Sequence, residues 1–192
     1  QHLFRRVVKG AIILALVVAG LVLAFRTVLA PSPEAVARVE AQSRAFTSVD
    51  EGDYRAALAS VEEGLQKVPD DPGLLIFRGA LYQLLGQEQE AEQSFGQAQA
   101  SIDDPFFFSV GRSQLYLRLN KPKEAERDAR AALELEEESA QAWLLLGQAL
   151  ELQEQRFDAV LAYEKAGDLA LASGDNEVYV LARMALGRLG LN

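Results

Sequence analysis

Few side chains in this sequence could act in catalysis or metal binding. The chain has no cysteine and a single histidine, His2, which excludes thiolate nucleophiles, cysteine-based zinc sites and a histidine triad in the folded domain. Its carboxylates do not stand in apolar runs that would raise their pKa, and no phosphate-binding glycine loop is present. The sequence predicts a protein that is not an enzyme, with no metal, cofactor or small-molecule substrate.

Charge is divided sharply along the chain. Residues 1–31 carry Arg5, Arg6, Lys9 and Arg26 without any acid, a net charge of +4, whereas the remaining residues carry −13. An acidic domain repels phosphate backbones, so nucleic acid is not an expected partner.

An apolar segment follows the basic tail, residues 1–6. From Gly10 to Phe25 there is no polar side chain, and as a helix this run is about 24 Å long. The hydrocarbon layer is ~30 Å thick, and Lys9 and Arg26 can extend their charges towards the headgroups. Its large apolar side chains favour insertion by about 3–6 kcal/mol. We therefore expect a single transmembrane helix over residues 7–30 in the lipid bilayer.

Two other interpretations of this segment were weighed. A cleaved signal peptide would end near Val28-Leu29-Ala30, but Pro31 would then follow the cut, where proline is unfavourable. A buried soluble helix needs surroundings that could wrap a helix apolar on all sides. The retained anchor is favoured over both.

The predicted anchor also carries small residues at helical spacing. Small side chains let a second transmembrane helix approach closely, although alanine and glycine are common in such helices in any case. The basic residues before the span favour a cytoplasmic amino terminus and an extracytoplasmic domain, periplasmic in a bacterium. The predicted packing face comprises Ala11, Ala15, Ala19, Gly20 and Ala24.

Beyond a Pro-containing linker, residues 31–37, small residues recur every 34 positions. A fixed period of this length is typical of stacked helical hairpins. It predicts an all-α solenoid of about four hairpins, residues 38–71, 72–105, 106–139 and 140–173, closed by a C-terminal capping helix within 174–192. The two registers are Ala57, Ala91, Ala125 and Ala159, and Gly64, Ala98, Ala132 and Ala166.

The residues around these registers resemble the tetratricopeptide repeat. That family has the pattern W-x₂-L-G-x₂-Y, then A-x₃-F, then A. The fourth segment matches with Trp143, Leu146, Gly147, Leu150, Ala159, Tyr163 and Ala166, and the second with Leu75, Gly79, Tyr82, Ala91, Phe95 and Ala98. The first segment departs from the pattern, because Arg44 and Ser48 replace the usual Leu and Tyr.

Local signals mark where the helices begin and end. Asp71-Pro72 and Asp104-Pro105 place a capping acid before a first-turn proline. Gly52, Gly86 and Asn120 fall at the hairpin turn, where left-handed backbone is expected, and Glu154 at the same position predicts a strained or different turn. In the capping helix, Val178, Leu181, Ala182, Ala185 and Leu189 are expected to face the solenoid.

The resemblance implies that partners bind in a concave groove lined by the first helix of each hairpin. An apolar, glutamine-rich lining of this kind suits an apolar helix or an extended segment. The alternative is that the apolar members pack into the core. Mapping the family's positions gives Ile76, Ala80, Gln83, Phe107, Val110, Gln114, Leu117, Gln141, Leu144, Gln148 and Glu151.

Phe106, Phe107 and Phe108 form an unusual aromatic run. Successive helical residues point about 100° apart, so one or two of these rings must be core. An exposed ring would indicate a contact with a protein or with a membrane surface, and plain packing is the alternative.

These features together predict a non-catalytic, membrane-anchored scaffold for protein–protein interaction. It would be an accessory or assembly subunit of a larger membrane complex, in contact through its anchor and its repeat surface. The alternative is an extracytoplasmic holdase or client receptor beside a secretion translocon, or an envelope or cytochrome biogenesis assembly factor. The fold alone does not choose among them.

Overall fold

The computed structural model describes residues 31–190, and this part of the chain contains nine helices and no strand. The chain divides into two units between Val36 and Ala37, and the packing given below belongs to the second. The helices are α1 (Pro33–Asp50), α2 (Tyr54–Lys67), α3 (Pro72–Leu84), α4 (Glu88–Ala100), α5 (Pro105–Arg118), α6 (Pro122–Leu135), α7 (Ala140–Leu152), α8 (Arg156–Ser173) and α9 (Asn176–Arg188).

Successive helices pack against each other along the chain. The pairs α3 with α4, α5 with α6 and α7 with α8 form hairpins, and α2–α3, α4–α5, α6–α7 and α8–α9 join one hairpin to the next. The first helices of neighbouring hairpins also touch, in the pairs α3–α5, α5–α7 and α7–α9. This all-helical solenoid confirms the predicted fold of the repeat region.

Small residues stand where the helices come closest. All four alanines of the first register are fully buried, as are Ala98, Ala132 and Ala166 of the second. A methyl group added to Gly64 would lie 2.5 Å from Cβ of Ala41. The predicted registers are therefore the contact lines between helices, where backbones approach too closely for larger side chains.

A second set of positions pairs large side chains with small ones across each hairpin. Phe95 covers Gly79, and Tyr163 covers Gly147 at the same place two repeats later. In the third hairpin the equivalent residues are Ser113 and Ala129, and in the first they are Ala45 and Val61, all four buried. A bulky residue on the second helix occurs only where the first helix carries glycine, so volume is conserved at this site.

Helix starts follow the predicted capping signals. The carboxylate of Asp71 accepts the N–H of Leu74 at 2.9 Å, and that of Asp104 accepts the N–H of Phe106 at 2.9 Å. Helix α1 starts at Pro33, within the segment predicted as the linker, because proline suits a first turn. The predicted repeat boundaries stay predictions.

The hairpin turns all place one residue in left-handed backbone. Gly52, Gly86, Asn120 and Glu154 have φ of 77°, 74°, 53° and 61°, so the turn keeps one geometry whatever its residue. Left-handed backbone crowds the Cβ of an ordinary residue, which costs roughly 1–2 kcal/mol. Glu154 therefore carries the strain that its sequence position predicted.

Replacing Glu154 with glycine should raise the free energy of unfolding by up to about 1 kcal/mol, the relieved strain less the greater entropy of glycine in the unfolded chain. Urea denaturation followed by the fluorescence of Trp143 measures it. The matched control is Gly86→Ala, where no atom lies within 4 Å of an added Cβ; it should cost about 1 kcal/mol. A Glu154→Gly variant no more stable than the parent would contradict the strain.

Helix α9 packs along α8, from Gly167 to Arg156 at the amino-terminal end of α8, whose side chain donates to the carbonyl of Leu189. Val178, Ala182, Ala185 and Leu186 are buried, and an added Cβ on Gly167 would lie 3.8 Å from Cβ of Ala182. The expectation that Leu181 faces the solenoid was wrong, since Leu181 is 42% exposed. Leu186 is buried in place of Leu181 because α9 packs against α8 through Ala182 and Ala185.

Candidate protein-binding site

The residues predicted to line the groove divide into buried and accessible sets. Ile76, Ala80, Val110 and Leu144 are buried within the core. Gln83, Leu117, Gln141, Gln148 and Glu151 are half-buried, and Phe107 and Gln114 are exposed. The surface offered by the first helices is therefore more polar than the residue set alone suggests, with glutamine amides as its main accessible groups.

Sequence reasoning missed the accessible residues of α1 and the end of α5. A cavity of about 400 Å³ is lined by Val39, Gln42, Ser43, Phe46, Thr47, Asp50 and Arg118. The signal for Phe46 was present, because it stands in phase with Ala80, Gln114 and Gln148 at the 34-residue period. The weak match of the first segment to the repeat pattern hid it.

Arg118 and Phe46, which both line this cavity, contact each other. The Arg118 guanidinium carbon lies 3.7 Å from the centroid of the Phe46 ring, a distance that suits a cation–π contact. The Phe46 ring is held in turn by Phe77, with centroids 4.6 Å apart. Within residues 37–190 Arg118 has no ion-pair partner, so its donors are available to a carboxylate or a carbonyl group.

Hydrogen bonds to tyrosine fix two of the predicted lining residues. The Tyr116 hydroxyl donates to Oε1 of Gln83. The Tyr163 hydroxyl donates to Oε2 of Glu151 at 2.6 Å, and Arg188 of α9 donates to both carboxylate oxygens at 3.0 and 2.8 Å. Glu151 therefore joins α7, α8 and α9 to one another and is not a free acceptor.

The surroundings of Glu151 shift two pKa values in opposite directions. Hydrogen bonds from Arg188, aided by the one from Tyr163, lower the pKa of Glu151 against the opposing effect of burial. Burial and the neighbouring carboxylate raise the pKa of Tyr163. Both groups therefore keep the charge states that the network requires at neutral pH.

Replacing Glu151 with glutamine should lower the free energy of unfolding by about 1 kcal/mol at pH 7. Because the folded pKa of Glu151 is lowered, its contribution is present above the unfolded value and is lost as the pH falls through the folded one. The difference in free energy of unfolding between parent and variant, measured by urea denaturation, should therefore be smaller at pH 3 than at pH 7.

The matched control is Glu164→Gln on α8, an exposed carboxylate for which the described residues provide no ion pair. It should cost less than about 0.5 kcal/mol at either pH. A gap for Glu151→Gln that stayed constant from pH 7 to pH 3 would contradict the charged network.

The aromatic run at the start of α5 contributes one ring to the surface. Phe106 and Phe108 are buried, and Phe107 is 60% exposed. Phe106 and Phe107 meet edge to face with centroids 5.4 Å apart, so Phe107 is held in place while presenting most of its ring. A role for the run in partner contact stays a prediction.

Three of the predicted features lie outside the described residues: the basic tail 1–6, the transmembrane helix 7–30, and its packing face of Ala11, Ala15, Ala19, Gly20 and Ala24. Between residues 31 and 190, none of the helices combines the length and apolar character needed to cross a bilayer. Over the same range, no group of three or more His, Asp or Glu side chains could hold a metal ion.

The described residues form an α-helical repeat solenoid with an accessible surface along the first helices of its hairpins. Residues 110–175 match the family model described as Tetratricopeptide repeat. The match spans most of the third predicted repeat and all of the fourth, and it supports the resemblance carried by Ala125, Trp143 and Tyr163. A comparison with curated proteins finds no relative.

Two solved structures align with most of the chain at low sequence identity. MamA 41-end from Desulfovibrio magneticus RS-1 is 20% identical with a TM-score of 0.40, covering 83% of this chain and 95% of that one. YrrB, a TPR protein with an unusual peptide-binding site, is 18% identical with a TM-score of 0.35, covering 74% and 81%.

Proposed function

We propose that this chain is a non-catalytic, membrane-anchored scaffold that holds partner proteins as an accessory or assembly subunit of a larger membrane complex. The observation that carries the proposal is the helical-repeat solenoid with its tetratricopeptide match over residues 110–175. Stacked repeats build extended surfaces suited to binding protein segments.

Support for the anchor comes from the sequence of residues 7–30, whose apolar length and basic flanks suit a single span. The arrangement that follows has a cytoplasmic amino terminus and an extracytoplasmic repeat domain. The proline-containing segment after the span would keep that domain close to the bilayer.

The proposed partner segment binds along the first helices of the hairpins. Glutamines 114 and 148 can donate to and accept from a partner backbone, and Leu117 and Phe107 offer apolar surface beside them. Arg118 adds a positive group at the amino-terminal end of this surface. An extended segment with apolar side chains and an acidic residue fits this lining.

A charge reversal at Arg118 tests the binding surface. Arg118→Glu should weaken capture of the partner by the full chain at least about tenfold, because it removes the exposed cation of the surface. Lys123→Glu is the matched control, since Lys123 is exposed on α6 and changes the net charge equally. Equal capture by both variants, with circular dichroism unchanged, would contradict this site.

Photo-crosslinking from the same surface identifies the partners. A photoreactive residue at position 114 in membranes should trap a small, stoichiometric set of membrane proteins, and one at Asp158 on α8 should not. A heterogeneous set of transient clients would favour a holdase or client receptor. Val110 and Leu144 are unsuitable for such tests because a charge at either buried site would unfold the domain.

Sealed vesicles test the anchor and its orientation. The full chain should resist carbonate extraction, and protease should reach the repeat domain only from the extracytoplasmic side. Replacing Val17 and Val18 with arginine should release the protein, since each central charge costs about 3 kcal/mol of insertion, while Val17→Leu should not. Unchanged membrane retention of the arginine variant would refute the anchor.

A further inference from the structure

Helix α9 exposes an apolar face. Val180 is 51% exposed, Leu181 42% and Met184 63%. The three residues lie one, three and four positions apart, so they share one side of the helix. We call this the outer face of α9.

The outer face of α9 corresponds to the side of α7 against which α8 packs in the preceding hairpin. One repeat earlier, 34 residues back, the same positions are Leu146, Gly147 and Leu150 of α7, which are buried. There Gly147 lies against the ring of Tyr163 from α8. Within the part of the chain that the structure describes, no helix follows α9 to cover the corresponding surface.

Opposite charges flank the outer face. Glu177 lies at the amino-terminal end and Arg188 at the carboxyl-terminal end, both exposed, and the stripe reads Glu177, Leu181, Met184, Arg188 at spacings of four, three and four. A two-fold axis midway along this stripe would place Leu181 of one copy beside Met184 of another. The same operation would place Glu177 beside Arg188, so the stripe is complementary to itself in the antiparallel sense.

We propose that a second copy of this chain covers the outer face through an antiparallel, two-fold contact between the α9 helices. Arg188 uses Nε and Nη2 to hold Glu151 in its own chain, which leaves Nη1 for Glu177 of the other copy. A single helix face is smaller than the interfaces of stable dimers, so the association is weak and depends on concentration.

Cysteine crosslinking of the full chain in detergent tests the geometry, and the absence of native cysteine makes the reaction specific. Mixed Leu181→Cys and Met184→Cys proteins should form a covalent heterodimer on mild oxidation. Asp158→Cys, at an exposed site on α8, should not crosslink in either mixture. No crosslink between positions 181 and 184, or equal crosslinking through position 158, would overturn the proposal.

Charge exchange gives an independent test by sedimentation velocity. Glu177→Arg and Arg188→Glu should each raise the dissociation constant of the homodimer severalfold. Mixing the two variants should restore dimers, because both contacts then join an acid to a base. Met184→Glu should raise the constant at least tenfold. Dimers that persist in Met184→Glu would place self-association elsewhere, for example in residues 7–30, and no dimer in the parent protein would refute the contact.

Discussion

Gly147→Ala should lower the free energy of unfolding by about 2–3 kcal/mol, the upper part of the range for an overpacked core. A Cβ at this position would lie 2.6 and 2.7 Å from two carbon atoms of the Tyr163 ring, much closer than van der Waals contact. The ring cannot move aside easily, because Tyr163 is fully buried and its hydroxyl is bonded to Glu151. Urea denaturation followed by Trp143 fluorescence measures the loss.

Gly96→Ala is the control for the effect of adding a methyl group to a helix. Gly96 lies within α4 with no atom within 4 Å of the added Cβ, so alanine should be neutral or stabilising by up to about 1 kcal/mol. A similar change at both glycines would mean that helix propensity, and not contact with Tyr163, governs position 147.

The first hairpin indicates a second substitution that should offset part of the stability lost in Gly147→Ala. Gly147→Ala combined with Tyr163→Val reproduces the Ala45 and Val61 pair found there. The double variant still loses the hydroxyl bond to Glu151, but its total cost should fall below the sum of the single costs by about 1–2 kcal/mol. Strict additivity would contradict a direct steric conflict between the two residues.

The sequence predicted those parts of the fold that depend on local rules repeated in phase. The 34-residue registers identified the helix contacts, since a position that must admit a neighbouring backbone accepts only glycine or alanine. The caps at Asp71 and Asp104 and the left-handed turns at Gly86 and Asn120 followed from properties of single residues. Each of these needs no knowledge of what lies across the molecule.

The binding surface was less predictable because it depends on how neighbouring hairpins curve. Ile76 and Val110 occupy positions that line a groove in the tetratricopeptide family that the sequence resembles, yet here both are buried. Arg118 and Phe46 meet although far apart in the chain, and no local pattern indicates such a pairing. The prediction that Leu181 faces the solenoid was wrong for a similar reason. Whether Leu181 or Leu186 is buried depends on the angle at which α9 meets α8.

The buried ion pair of the third hairpin is another feature that the sequence did not reveal. Arg112 Nε lies 3.1 Å from Oδ2 of Asp128, which is 5% exposed, and Arg127 Nε lies 3.2 Å from the other oxygen. The Arg112 guanidinium also lies over Phe95, 4.3 Å from the ring centroid. Burial raises the pKa of Asp128 even though Arg112 and Arg127 oppose that rise.

Arg112→Leu should lower the free energy of unfolding by about 3–5 kcal/mol at pH 7.5, because it leaves a buried carboxylate with one weaker partner and removes the contact with Phe95. Asp128→Ala should cost less, since Arg112 keeps its aromatic neighbours. Combining the two changes reproduces Leu146 and Ala162, the equivalent residues of the fourth hairpin. The double variant should therefore be more stable than Arg112→Leu alone.

The pH dependence separates the charge from the lost packing in Arg112→Leu. Without Arg112 the folded pKa of Asp128 should rise further above its unfolded value of about 3.9. A raised carboxyl pKa gives stability that is present below the unfolded value and lost as the pH rises through the folded one. The deficit of Arg112→Leu relative to the parent should thus shrink from pH 7.5 to pH 4.5. The deficit of the double variant should not shrink, because it lacks Asp128 while the parent keeps the raised pKa of that carboxyl. A single-variant deficit independent of pH would assign the loss to packing over Phe95 and not to the stranded carboxylate.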